Sequence, residues 1–336
     1  MHLSSDPAVP LVSSDFRPTP WLRGGHAQSI LPATVMPRPA VAYRRERWPT
    51  DSGGRPDGDF LDVDFAQPEP AATAAPVLVL FHGLEGGSGS HYARAIMRGF
   101  ADAGWRALVV HFRGCSGEPN ALPRSYHSGD SDEAHWILHR VAARWPSARL
   151  HAAGVSLGGN VLAKWLGERA EEARIVRAAA AIAAPVDLRA CGVALMRGFN
   201  RVYGRNFLAT LIPKTLAKIE RFPGLADAAI VRGVTDLYAY DNAYTAPVHG
   251  FRNTDDYWAR AASMPLLPNV RVPLLLLHAR NDPFVPADSL PQPGAVSSQV
   301  FLEQPGQGGH AGFVEGVFGQ HRYLPRRLLR FFTAGA

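Results

Sequence analysis

His151-Ala152-Ala153-Gly154-Val155-Ser156-Leu157-Gly158-Gly159-Asn160 is an apolar run that enters Gly-Val-Ser-Leu-Gly and leaves into a helical pattern. It reads as a nucleophile elbow. Gly154 and Gly158 let a strand and a helix approach closely, while Ser156 takes a strained backbone position that lifts its hydroxyl out of a sheet. A helix beginning at Leu157 points free N–H groups at the spot where negative charge develops when a carbonyl is attacked. A bare Gly-x-Ser-x-Gly is common. Its weight here comes from a strand before it, a helix after it, and an acid and a histidine later in the chain, in that order.

Working outward, Val77–Phe81, Ala107–Phe112, Leu150–Val155, Ala178–Ala184, Val272–His278 and Val300–Glu303 are apolar runs of strand length. Helical patterns alternate with them over 92–103, 130–144, 157–171 and 320–332. This rhythm predicts a mostly parallel, doubly wound α/β sheet with ligands at the carboxyl ends of its strands. Tyr43–Trp48 and Phe60–Phe65 read as an antiparallel lead-in around an Asp51–Gly54 turn. Residues 1–40, rich in proline, are expected to form an irregular arm, with His26 and Gln28 either lining a pocket or holding the arm in place. Over eighty residues separate the strand ending near Ala184 from the one starting near Val272, too many for a structureless loop. The expected organisation is an arm (1–40), a core (41–186 and 271–336) and a helical cap inserted over 187–270, before the acid-bearing strand. Helical patterns mark the cap over Cys191–Tyr203 and Phe207–Ile219.

A serine hydroxyl needs a base. His310 is the best candidate, in the glycine-rich loop Gly306–Phe313 after the last strand, and Asp282, just beyond an apolar strand, is the candidate to orient it. The order Ser156, Asp282, His310 is that of the α/β-hydrolase fold. Asp187 and Asp288 are rival acids, and Ser116 lacks a strand-to-helix setting. The Leu84 N–H, after His82-Gly83, and the Leu157 N–H are the expected oxyanion donors. His82–Gly87 lacks the Gly-x-Gly-x-x-Gly spacing, which disfavours a dinucleotide. His135 and His139 lie four apart on a predicted helix with no third metal ligand evident, so neither a metal nor a cofactor is expected. Cys115 has no helix start to activate it.

The 336 residues are 46% hydrophobic, enough for a large α/β domain. The formal charge of +6 is carried almost wholly by scattered arginines, with lysine only at 164, 214 and 218. No basic stripe interleaved with aromatics points to nucleic acid, and the charge implies at most a weak attraction to anionic lipid surfaces. Two cysteines, no basic start followed by an apolar core, and no run of about 20 apolar residues predict a soluble cytoplasmic protein.

The segments His26–Ile30, His82-Gly83-Leu84-Glu85-Gly86, His111–Asn120, Tyr126–Gly129, Gly154–Asn160, Tyr240-Asp241-Asn242, Asp282-Pro283-Phe284 and Gly309–Phe313 together resemble the YheT-like branch of the α/β hydrolases. This is the AB hydrolase 4 family, related to EMB8-like proteins and ABHD lipases. The resemblance runs from about Pro20 to Leu329. Ala27 and Ser29 stand where relatives often have Leu and Thr, and Asn242 where a second Asp is usual. The resemblance implies carboxylic ester hydrolysis by Ser156, His310 and Asp282 through an acyl-enzyme. Family members act on short-chain esters, acylglycerols or phospholipids, and some transfer acyl groups to alcohols, so the ester itself does not carry over. An acyltransferase using the same three residues and a non-catalytic binding protein on this scaffold are the alternative readings. Phe199, Tyr203, Phe207 and Leu211 read equally as an acyl-binding surface and as helix core.

Overall fold

The computed structural model describes residues 11–52 and 54–334; the first ten residues of the expected arm and Gly53 of the expected turn lie outside the described residues. Five runs that are apolar apart from Arg106 and His151, Val77–Phe81 (β3), Arg106–Val110 (β4), Leu150–Val155 (β5), Ala178–Ile182 (β6) and Leu274–Leu277 (β7), are buried at every position. That is the signature of strands covered on both faces. Tyr43–Ser52 (β1) and Arg55–Ala66 (β2) form the lead-in hairpin, and Val300–Glu303 (β8) closes the far edge.

The eight strands run in the order β1-β2-β4-β3-β5-β6-β7-β8. β1 with β2 and β2 with β4 are antiparallel, and every other pair is parallel. The register Phe81↔Gly154, Gly154↔Ala181 and Ala181↔Leu276 aligns the carboxyl ends of β3, β5, β6 and β7 on one edge. Alternate strand residues serve two cores. Val79, Leu108 and Ala152 pack with Leu138 of α3 (Ser131–Arg144) and Trp165 of α4 (Leu157–Arg169). Leu78, Leu80 and Ala153 pack with Met97 of α2 (His91–Asp102) and Leu328 of α11 (Tyr323–Thr333). The result is a sheet between two helical layers.

Two expectations change. The N-terminal arm is not irregular throughout, because Gly25–Thr34 forms helix α1. Between β6 and β7 the chain is helical as expected, with different boundaries: α5 (Leu188–Leu195), α6 (Arg201–Arg221), α7 (Ala228–Gly233), α8 (Leu237–Tyr240), a π turn (Asp241–Thr245), α9 (Ala246–Val248) and α10 (Thr254–Ala261). The expected helix over 191–203 is interrupted near Gly198, whose φ of 49° lies in the left-handed region. The one expected over 207–219 is the middle of the longer α6. The insertion has its own core of Leu208, Leu211, Ile219, Val231, Tyr240 and Tyr244. No helix among the described residues is long and apolar enough to cross a membrane.

Burial depresses six imidazoles strongly. His82, His91, His127 and His249 are pushed down to about 3, and His151 and His321 to about 4, in each case chiefly by loss of water. In the unfolded chain these groups take protons near pH 6.5. Below that pH the unfolded state therefore binds more protons than the folded state, and stability falls as acid is added. Denaturant midpoints measured from pH 7 to pH 4.5 are expected to decline steadily across that window; a flat profile would contradict the neutral, buried assignment of these rings.

Candidate active site

The site begins with the turn between β5 and α4. A Cβ added to Gly154 would lie 2.3 Å from the Gly158 carbonyl oxygen, and one added to Gly158 would lie 2.4 Å from that of Phe81. Only glycine permits this crossing of strand and helix. Ser156 is held at φ 53°, ψ −122°, and its N–H donates to the Ile182 carbonyl at 2.8 Å. Few non-glycine residues adopt such backbone, and it persists because the packing around it leaves no alternative. Its side chain is thereby turned away from β5.

His310, in the loop after β8, comes to meet it. His310 Nε2 lies 2.9 Å from Ser156 Oγ, and Nδ1 lies 2.8 Å from Asp282 Oδ2. The other Asp282 oxygen accepts the backbone N–H groups of Phe284 at 2.7 Å and Val285 at 3.3 Å. Asp282 is thus a carboxylate fixed by three donors, able to hold the imidazole with Nδ1 protonated and Nε2 free to accept a proton. The Phe284 ring stacks on His310 at 4.1 Å between centroids. Ser156, Leu157, Leu84, Phe284 and His310 all line a cavity of about 690 Å³ between the sheet edge and the helical insertion. Much of its wall is apolar, with Leu188, Leu195, Phe207, Leu211 and Trp258.

A sequence profile of the α/β hydrolase fold matches residues 76–317. The YheT protein of Escherichia coli (strain K12) is 36% identical over 310 residues, covering 91% of this chain and 88% of that protein. The chain belongs to the α/β hydrolases, in their YheT-like branch. Human phospholipase ABHD3 is 29% identical over 328 residues, covering 97% of this chain and 80% of its own. Among solved structures, the Pyrococcus furiosus esterase Pf2001 superposes with a TM-score of 0.54 at 15% identity, covering 89% of this chain and 98% of the esterase.

In this α/β hydrolase the Leu84 amide is bracketed. On one side the Gly83 N–H donates to the Tyr92 hydroxyl at 2.8 Å, and on the other the Glu85 N–H donates to the Tyr126 hydroxyl at 2.9 Å. Glu85 has φ 55°, and its carboxylate accepts from Tyr126 at 2.9 Å and from Lys214 of α6 at 2.7 Å. The Leu84 and Leu157 N–H groups are left without a protein acceptor among the described residues. His82 plays a different part: Nε2 accepts the Phe112 N–H at 3.0 Å and Nδ1 donates to Gly83 at 2.7 Å, which ties β3 to β4.

Sequence reasoning missed the work of α1. Gln28 Oε1 accepts from Asn281 Nδ2 at 2.8 Å and from the Gly308 N–H at 3.0 Å, joining the loop of Asp282 to the loop of His310. Ser29 Oγ accepts the His310 N–H at 2.8 Å. Of the two readings offered for Gln28, holding the arm in place is therefore the better description. His26 faces the insertion, with Nδ1 3.0 Å from the Tyr203 hydroxyl.

The rivals lie elsewhere. Asp187 accepts the Ala190 N–H at 3.0 Å as the N-cap of α5. The Cys115 thiol is pushed up to about 12 by burial and the nearby Glu85 carboxylate, which makes it a poor nucleophile. His135 and His139 do acquire a third neighbour that the sequence hid: Glu172, with ligand atoms of all three within 4.8 Å. The Trp165 N–H donates to His135 Nδ1 at 3.3 Å, which places the His135 proton on Nε2, facing Glu172 at 3.8 Å. A metal bound at Nε2 would force that proton onto Nδ1, against the indole N–H, so the cluster fits a metal poorly.

Proposed function

We propose that this chain is a serine hydrolase of carboxylic esters, with Ser156 as nucleophile, His310 as general base and acid, and Asp282 orienting the imidazole. Ser156 Oγ bonds to the ester carbonyl carbon as its proton passes to His310 Nε2. The carbonyl oxygen, now anionic, accepts the Leu84 and Leu157 N–H groups. Collapse breaks the bond to the alkoxide, which takes the proton from Nε2 and leaves an acyl-Ser156. Water then repeats the sequence, giving the acid and free enzyme. Asp282 stabilises the imidazolium in both halves.

The observation that carries this reading is the continuous chain Ser156–His310–Asp282, at 2.9 and 2.8 Å, at the wall of a largely apolar cavity. The names of related proteins support it, phospholipase for human ABHD3 and monoacylglycerol lipase for a Saccharomyces cerevisiae relative 27% identical over 267 residues. The insertion over 187–270 would act as the cap that shapes the acyl site, with Phe207 and Leu211 on its inner face.

Treatment with a fluorophosphonate probe and peptide mapping tests the reading. A single adduct on Ser156, absent from Ser156→Ala, is expected. A folded protein that takes no adduct would favour the non-catalytic alternative, and ethyl ester formed in the presence of ethanol would favour acyl transfer.

A further inference from the structure

The same cavity also carries charge. To its wall α6 contributes Lys214, Lys218 and Arg221, and the core contributes Glu85, Arg113 and Glu118. Four of these six are matched in charge. Glu85 holds Lys214, Glu118 accepts from Arg47 at 2.9 Å, and Arg113 sits between Asp59 and Glu133. Asp59, the carboxylate whose field reaches Lys218, is taken up by Arg113, Asn120 and the Ala121 N–H.

Lys218 and Arg221 have no carboxylate partner among the described residues. Lys218 Nζ donates only to neutral oxygens, the Arg124 carbonyl at 2.7 Å and Ser125 Oγ at 3.1 Å. Arg221 donates to the Asn120 carbonyl at 3.0 Å and otherwise lies over Phe222. Three residues apart on α6, they share a face. Partial burial already weighs against the Lys218 ammonium, which is pushed down to about 8. A partly buried ammonium and an exposed guanidinium on the wall of one cavity, neither paired with a carboxylate among the described residues, constitute a charge that an incoming anion would balance.

We propose that Lys218 and Arg221 form an anion-binding subsite in the cavity that reaches Ser156, so that the preferred esters carry a carboxylate or phosphate group remote from the scissile carbonyl. This inference rests on the hydrolase reading and gives it a substrate class. The apolar wall takes the intervening chain, and the chain's length decides whether the anion reaches Lys218 and Arg221.

The test compares p-nitrophenyl hemiesters of α,ω-dicarboxylic acids with their methyl-capped neutral counterparts over a series of lengths. A phosphonate-terminated series and butyryl esters of ω-hydroxy acids run alongside, for the nature of the anion and for the alcohol side. In the wild type the charged member of at least one pair is expected to have about tenfold higher kcat/KM, mainly through KM, fading at high salt. In Lys218→Met and in Arg221→Gln the charged-to-neutral ratio should fall towards one, and in Lys218→Arg it should persist. A role confined to tethering α6 would instead lower charged and neutral esters alike. Neutral esters turned over with no preference for charge at any length, or a preference untouched by either substitution, would overturn the subsite. Failure to hydrolyse any ester, with no fluorophosphonate adduct, would overturn the hydrolase reading itself.

Discussion

Ser156→Ala is expected to lower kcat/KM on activated esters by about ten-thousand- to a million-fold, the loss that follows removal of a triad nucleophile. The methyl group cannot form the acyl-enzyme, and the residual rate would come from the Leu84 and Leu157 donors and from binding alone. The substitution keeps the elbow, because alanine meets the same backbone strain at φ 53° as serine. The Gly154 and Gly158 contacts are untouched, so the thermal midpoint should move by no more than about 2 °C. Turnover at the wild-type rate in a folded variant would remove Ser156 from the chemistry.

The largest loss of stability is expected from a residue that contributes nothing to that chemistry. Arg113 is buried, with Nη1 2.5 Å from Asp59 and Nε 2.6 Å from Glu133. Arg113→Met would strand both carboxylates in a site with little water, a change that costs about 3–5 kcal/mol. Asp59 would retain Asn120 and the Ala121 N–H. Glu133 has a different remedy, since burial and repulsion from Asp130 already push its carboxyl up to about 7. A raised folded value means that the folded state holds this proton more tightly than the unfolded state, so the contribution is fully present below about 4.5 and lost as pH rises through 7. Without Arg113 that value rises further. The deficit of the variant, read from denaturant midpoints beside the wild type, should therefore be larger at pH 8 than at pH 5.5. An equal deficit at both would mean that Glu133 stays ionised throughout, and no deficit would mean that the pair does not stabilise the fold.

These residues also separate what was legible in the sequence from what was not. The strands were legible because a strand covered on both faces is apolar at almost every position, as Leu274–Leu277 and Val77–Phe81 are. The elbow and the order Ser156, Asp282, His310 were legible because sterics allow few residues at the turn and the sheet fixes which loops share an edge. Arg113–Asn120 stood out as a family resemblance, while its physical basis, a buried Arg113 and an Asn120 whose Oδ1 accepts the Gly114 N–H at 2.6 Å, emerges only in three dimensions. Helix α1 was hidden by Pro32 and by Gly24-Gly25, which read as a breaker. What stabilises it is tertiary: a Cβ on Gly25 would lie 1.8 Å from the Asn281 carbonyl oxygen, so that loop and helix are pressed together. Helix ends in the insertion were misjudged because Gly204 lies within α6 without ending it. Glu172 was missed because nothing in a linear pattern brings it beside His135.

The bond from the His310 N–H to Ser29 Oγ spans 281 residues. During synthesis, which proceeds from the N-terminus, α1 leaves the ribosome before any strand of the sheet, and the loops it fastens leave only after β7 and β8. The sheet can grow around β3 and β5 long before then, with Ser156 already on its strained turn. Until the segment through Gly312 has emerged, Gln28 has nothing to join. On the proposed mechanism a nascent chain would thus carry a finished elbow and no base, and competence would arrive as one late event.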